Sequence, residues 1–247
     1  MSAAAFLAPP RPLAPQQQRR QWRWSQHWRD LLFAHWPVPA AALVRHLPAD
    51  IEVDTCGGEA WVSVVAFRLA RVRQRWLPPL PFGSAFAEVN LRTYVRRRGE
   101  PAIYFLSIHA GKRLGVALAR AFTPLPYVHA PIVQCHTGAN WHFSCGRLAQ
   151  PPLLWAEYRP TGVQRRAEPG SLDEWLLERY IAYAQGREGG VHRVAVAHPP
   201  WDVWGAEGRV GAAGLGVPWG LDLARAPARM HFSSGVRAVI WPFARVG

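Results

Sequence analysis

Apolar positions change their spacing several times along the chain, and each change predicts a different element. Trp24, Trp28, Leu31, Leu32 and Trp36 recur near the 3.6-residue period of a helix, and Pro37 opens a second short helical pattern through Leu43 and Leu47. Residues 54–58 then read as a turn. Residues 61–69 form an almost continuous β-branched and aromatic run, the pattern of a strand buried on both faces. Prolines and arginines across residues 71–84 predict an exposed loop that cannot pair as a regular strand.

Strand periodicity resumes at Phe86. Ala87, Val89, Leu91, Thr93 and Val95 fall on one face of residues 86–96, and Glu88, Asn90, Arg92 and Tyr94 on the other. Gly99 closes this strand, and residues 102–108 return as its hairpin partner. Residues 112–122 predict a helix with Leu114, Leu118, Ala121 and Phe122 on one stripe, ended by Pro124 and Pro126. Further strands are expected at 127–136, 141–147, 153–159, 191–198 and 236–241. A second helix is expected over 171–185, opened by a capping box of Ser171 and Glu174. With no internal repeat and no second-domain linker, the expectation is an α+β chain, mainly β. It has a flexible tail over 1–21 and one domain over 22–247.

Composition narrows the class. Hydrophobic residues make up 49% of the 247 positions and tryptophan alone occurs 13 times, which predicts a dense aromatic core. No stretch approaches the roughly 20 apolar residues a membrane-spanning helix needs. The N-terminus lacks the charge-then-apolar order of a secretory signal, and Cys56, Cys135 and Cys145 are an odd set without a close CxxC pair, so a reducing cytoplasm is expected. Net charge is +13, yet Lys112 is the single lysine. Arginine clusters at 71, 73 and 75 and at 96–98 read as solvated loops and strand ends. No nucleic-acid-binding motif accompanies them, so no nucleic-acid partner is expected.

Several segments carry a resemblance. The run Trp28-Arg-Asp-Leu-Leu-Phe-Ala-His-Trp36, the strand Phe86-Ala-Glu-Val-Asn-Leu-Arg-Thr-Tyr94, the stretch Leu125-Pro-Tyr-Val-His-Ala130, Glu178-Arg-Tyr180 and His198-Pro-Pro-Trp201 resemble the YqjF-like family, a domain of unknown function. That resemblance implies the acetoacetate decarboxylase-like fold, a strongly bent β-barrel or sheet with a few flanking helices and an interior pocket. The decarboxylase forms a Schiff base on the first of two lysines that follow a proline. The counterpart here is Pro126-Tyr127-Val128, where neither residue is an amine, so an enzyme built on this chain is not expected to use a lysine Schiff base.

Candidate chemistry follows from position. By alternation alone the Glu88 face is the wet side of a sheet or the wall of a pocket. The resemblance points an acidic residue of this strand into the pocket, making Glu88 a candidate acid/base, with Asn90 and Arg92 as ligand-binding neighbours and Tyr127 at the altered lysine position. Helical spacing puts Arg179 in the middle of an apolar face, where either Glu88 or another carboxylate neutralises it or an anionic ligand does. Arg120 is a weaker candidate for the same task. His129 is a candidate acid or base and His198 a ligand contact, both beside apolar strand ends. Cys135, His136, His142 and Cys145 lie close in sequence without a standard zinc spacing, so no metal is assigned, and no cofactor motif is present. The expected ligand is a small carboxylate or carbonyl compound, handled by a lyase or hydrolase without an imine. The alternative is a non-catalytic protein that binds a small molecule or a partner.

Overall fold

The structure is a computed structural model, described over residues 21–79, 85–146, 150–186 and 189–246. The expected tail over 1–21 lies outside the described residues except for Gln21. The first half of the chain contributes β1 (Trp24–Val38), β2 (Glu52–Val53), β3 (Thr55–Cys56), β4 (Glu59–Gln74), β5 (Phe86–Arg97), β6 (Glu100–Ala110) and β7 (Tyr127–His129). The second contributes β8 (Ile132–Thr137), β9 (Asn140–Cys145), β10 (Leu154–Arg165), β11 (Ile181–Gln185), β12 (Val191–Ala197), β13 (Val203–Gly211), β14 (Arg229–Ile240) and β15 (Ala244–Val246). Among the described residues, four short helices flank them: α1 (Ala40–Val44), α2 (Arg113–Phe122), α3 (Leu172–Leu177) and α4 (Ala213–Gly216).

All these strands join one sheet, whose main path runs β15-β12-β11-β6-β5-β4-β1-β14-β13-β10-β9-β8. The sheet bends until β12 also meets β14, at the two pairs Val196↔Ile240 and Ala197↔Val239. Closure rests on those two residue pairs alone, so the fold is a bent sheet rather than a regular barrel. The expected mixed α+β fold with flanking helices is the one observed.

The segment from Trp24 to Trp36 is strand β1, not helix. Between Arg29 and Leu32 the pairing with β4 skips one residue on β1, where Asp30 takes a left-handed φ of 56°. Between Ser25 and His27 the extra residue sits on β4, where Arg71 has φ 51°. A bulge reverses the parity of every side chain beyond it. Hence Trp24, Gln26 and Trp28 share a face with Leu31 and Phe33, and Val65, Phe67 and Leu69 share that face with Val72 and Gln74. Spacings of four, three and two residues along β1 imitate a helix for this reason. The opposite face places Leu32, Ala34 and Trp36 in a separate core with Val62, Val64, Ala66, Val89 and Leu91. Burial of such side chains contributes roughly 1.5–3 kcal/mol each.

Three other expectations change. Residues 71–74 extend β4 instead of starting a loop, and residues 80–84 of that expected loop lie outside the described residues. The turn narrows to Gly57 and Gly58, both at positive φ, which lets β3 fold straight back onto β4. The helix expected over 171–185 ends at Leu177. Its Ser171 cap accepts the Glu174 amide at 3.2 Å, while Glu174 Oε2 accepts the Gly170 amide rather than that of Ser171. Glu178 then leaves helical geometry, and residues 181–185 join β6 and β12 as β11.

Candidate functional site

The bend encloses a cavity of about 350 Å³, walled by β1, β4, β5, β6, β11 and β12 and roofed by α2. Gly115 seats the roof: a Cβ there would stand 3.0 Å from the Phe86 ring, so any larger residue would push on that ring. Most of the lining is aliphatic or aromatic. The stripe of α2 is rotated from the expectation, since Gly115, Leu118, Ala119 and Phe122 line the cavity while Leu114 faces solvent.

One row of polar residues enters this lining from β5. Glu88, Asn90 and Arg92 all face the cavity, so this face is a pocket wall and not the wet side of a sheet. Glu88 is 4% exposed, and the Tyr127 hydroxyl of β7 donates to its Oε2 at 3.1 Å. Desolvation raises the Glu88 pKa to about 7, against the lowering effect of hydrogen bonds from Tyr127 and Asn90. Tyr127 itself is pushed well above the ordinary phenol value, by burial first and then by the adjacent carboxyl, and stays a neutral donor. The pair therefore holds one transferable proton near neutrality.

Arg92 lies deeper. Its guanidinium sits 5.9 Å from the centroid of the Phe33 ring, and its Nε and Nη2 are shielded without a hydrogen-bond partner among the described residues. Burial lowers its pKa, with Tyr94 acting in the opposite direction. Among the described residues no carboxylate forms an ion pair with it.

His198 follows β12 and packs within an aromatic box, 4.7 Å from Trp201, 4.8 Å from Tyr180 and 5.8 Å from Trp28 between ring centroids. Its Nδ1 donates to the Pro199 carbonyl at 2.7 Å, which fixes the tautomer and leaves Nε2 as an acceptor. Burial lowers its pKa to about 4, so the ring is neutral at neutral pH.

Arg179 also borders the cavity, and of the alternatives expected for it a protein carboxylate is the one found. Its Nη1 donates to Asp54 Oδ2 at 3.0 Å, its Nε to the Trp175 carbonyl at 2.9 Å, and its guanidinium stacks 4.4 Å from the Trp175 ring. The carboxylate that neutralises it is thus Asp54, not Glu88. The residue sits beyond the end of α3, and the loss of helical geometry at Glu178 is what turns it toward Asp54. His129 is half-buried on β7 and Arg120 is exposed on α2, and neither lines the cavity. Lys112, at the start of α2, is outside it too.

Cys135 and His142 are cross-strand partners on β8 and β9. Among the described residues no group of three or more His, Cys, Asp or Glu gathers as a metal site. The aromatic wall of Trp28, Phe67, Phe86 and Trp201 was not singled out from the sequence, and recognising the β1 bulge at Asp30 is the signal that would have placed Trp28 there.

Residues 25–237 match DUF2071, a family described as an uncharacterized conserved protein. The chain belongs to the DUF2071 family. It is 37% identical over 222 residues, 90% of this chain and 91% of the relative, to the uncharacterized protein YqjF of Bacillus subtilis. Among solved structures it is similar to the acetoacetate decarboxylase of Legionella pneumophila, with a TM-score of 0.67 at 14% identity over 99% of this chain and 94% of that one. The enduracididine biosynthesis enzyme MppR complexed with pyruvate gives 0.65 at 14% identity over 97% and 99%. An acetoacetate decarboxylase-like enzyme of Sphingomonas wittichii gives 0.61 at 16% over 97% and 100%. The DUF2071 chain thus shares the acetoacetate decarboxylase-like fold.

Proposed function

We propose that this DUF2071 protein is an enzyme that binds a small carboxylate or carbonyl compound in its interior cavity and acts on it through Glu88, without a lysine imine. The observation that carries the reading is the pairing, on one strand face, of a carboxyl poised near neutrality with a shielded arginine that has no counter-ion among the described residues. An unpaired buried charge costs several kcal/mol, and an anionic ligand would offset that cost. Arg92 is thus suited to fix a carboxylate. Glu88, as carboxylate, removes a proton beside a carbonyl, or, once protonated, supplies one to a leaving group. Tyr127 donates to Glu88 and steadies its ionised form, and His198 offers a neutral acceptor. A lyase or hydrolase of this kind needs no amine, in keeping with Tyr127 and Val128 after Pro126. Similar folds that hold pyruvate, as MppR does, support the ligand class.

A panel of 2-oxo and 3-oxo acids followed by proton NMR in D2O tests this, since α-proton exchange, decarboxylation and cleavage are all visible. Wild type is expected to act on at least one, and Glu88→Gln to lose about 100-fold or more. Borohydride added with pyruvate or acetoacetate is expected to leave the protein mass unchanged. An adduct on Lys112, or full activity in Glu88→Gln, contradicts the proposal. The apolar majority of the lining favours a second reading, a binding protein without turnover. It predicts saturable binding of the same acids with no exchange at all.

A further inference from the structure

We propose that the ligand is an amphipathic carboxylate, its charged end against Arg92 and an alkyl or aryl tail lying along the aromatic wall toward the cavity mouth. This rests on the carboxylate site proposed above and adds its substrate class.

Size comes first. A volume of about 350 Å³ falls in the range of roughly 300–1,000 Å³ that accommodates drug-sized ligands, several times what pyruvate or acetoacetate fills. Layering comes second. Across the β4–β5 ladder, Arg92 lies opposite Ser63, Asn90 opposite Val65, Glu88 opposite Phe67, and Phe86 opposite Leu69. From Arg92 to Glu88 the strand covers about 13 Å. Beyond Glu88 the wall turns apolar, with Phe86 and then Trp28 of β1, which pairs with Leu69 of β4.

Exposure gives the direction. Phe33 at 0% marks the inner end, and Leu77 and Phe122, each 55% exposed, mark the mouth. Two polar groups near the mouth are already engaged: Gln26 Oε1 accepts from Trp28 Nε1 at 2.7 Å, and Arg73 donates to the Arg75 carbonyl at 2.9 Å. The only shielded cationic nitrogens without a partner in this lining, among the described residues, are those of Arg92 and Arg179 Nη2, and Arg179 already holds Asp54. A molecule with a carboxylate at one end and a tail at the other therefore matches the cavity from floor to mouth.

Calorimetric titration with straight-chain acids from acetate to decanoate, with phenylpropanoate and with the matching primary alcohols, tests the assignment. Affinity is expected to rise about fourfold per added methylene and then level off once the cavity is full. Each alcohol is expected to bind at least tenfold more weakly than its acid. Ala119→Trp, which fills space under the roof, is expected to bring the levelling to shorter chains and to weaken the long acids far more than acetate. Arg92→Met, checked by thermal melting, is expected to erase the preference for acid over alcohol. Should that variant not fold, Arg92→Lys is expected to reduce the preference. Equal affinity for short and long acids overturns the tail and leaves the carboxylate site standing. Failure of every acid to bind overturns the site itself, and an unchanged acid preference in a folded Arg92 variant overturns the placement of the charged end.

Discussion

At the scale of single residues, burial of Glu88 couples its proton to stability. A carboxyl whose folded-state pKa is raised binds its proton more tightly folded than unfolded. Its contribution is fully present below the ordinary value near 4.5 and is lost as pH rises through about 7. Glu88→Gln removes that loss, so it is expected to match wild type near pH 4 and to exceed it by up to about 3 kcal/mol at pH 8. Urea melts at the two pH values check this. Equal stability differences at both would mean that Glu88 titrates normally.

Arg179 follows another logic, because it and Asp54 have side chains only 5% and 6% exposed. Arg179→Leu leaves Asp54 Oδ2 without its partner while Arg96 still holds Oδ1 at 3.1 Å, and is expected to cost about 1–3 kcal/mol, with Arg179→Lys recovering only part. A loss below about 0.5 kcal/mol in the same melts would contradict the pairing. The burial of Arg179 was legible in the sequence, although through a helix that ends too early. Its partner was not, since the two residues lie 125 positions apart and only the bent sheet brings them together. Glu88, Asn90 and Arg92 were legible as one strand face, because β5 alternates without a bulge of its own over those positions.

At the scale of elements, β1 shows where periodicity fails and why. Pattern reading assumes constant parity along a strand, and the single extra residue at Asp30 breaks it. Deleting Asp30 should turn Trp24, Gln26 and Trp28 out of the cavity or break the ladder beyond them. The expected result is a loss of several kcal/mol or failure to fold, against under 1 kcal/mol for Asp30→Gly, which keeps the bulge and suits its positive φ. A deletion variant as stable as wild type would show that the bulge does not set the register. The short α3 failed for a related reason: Ser171 and Glu174 mark where a helix begins, but nothing comparable marks its end at Leu177, and β11 continues the apolar run.

At the scale of the whole molecule, bending one sheet until it meets itself does what two separate domains do elsewhere, enclosing a cavity between distant parts of the chain. Val196 and Ile240, which form the seam, also line that cavity. Two of the arginines behind the positive net charge, Arg73 and Arg75, lie 5.5 and 4.9 Å from the Trp22 ring. No helix among the described residues is long and apolar enough to cross a membrane. Acid/base chemistry in this interior requires that Glu88, facing the cavity, hold or release its proton near neutral pH. Carbon-13 NMR of glutamate carboxyls, with Glu88 assigned from the signal missing in Glu88→Gln, measures that property directly. A Glu88 midpoint near 7 is expected. A midpoint near the ordinary value of 4.5 would contradict it.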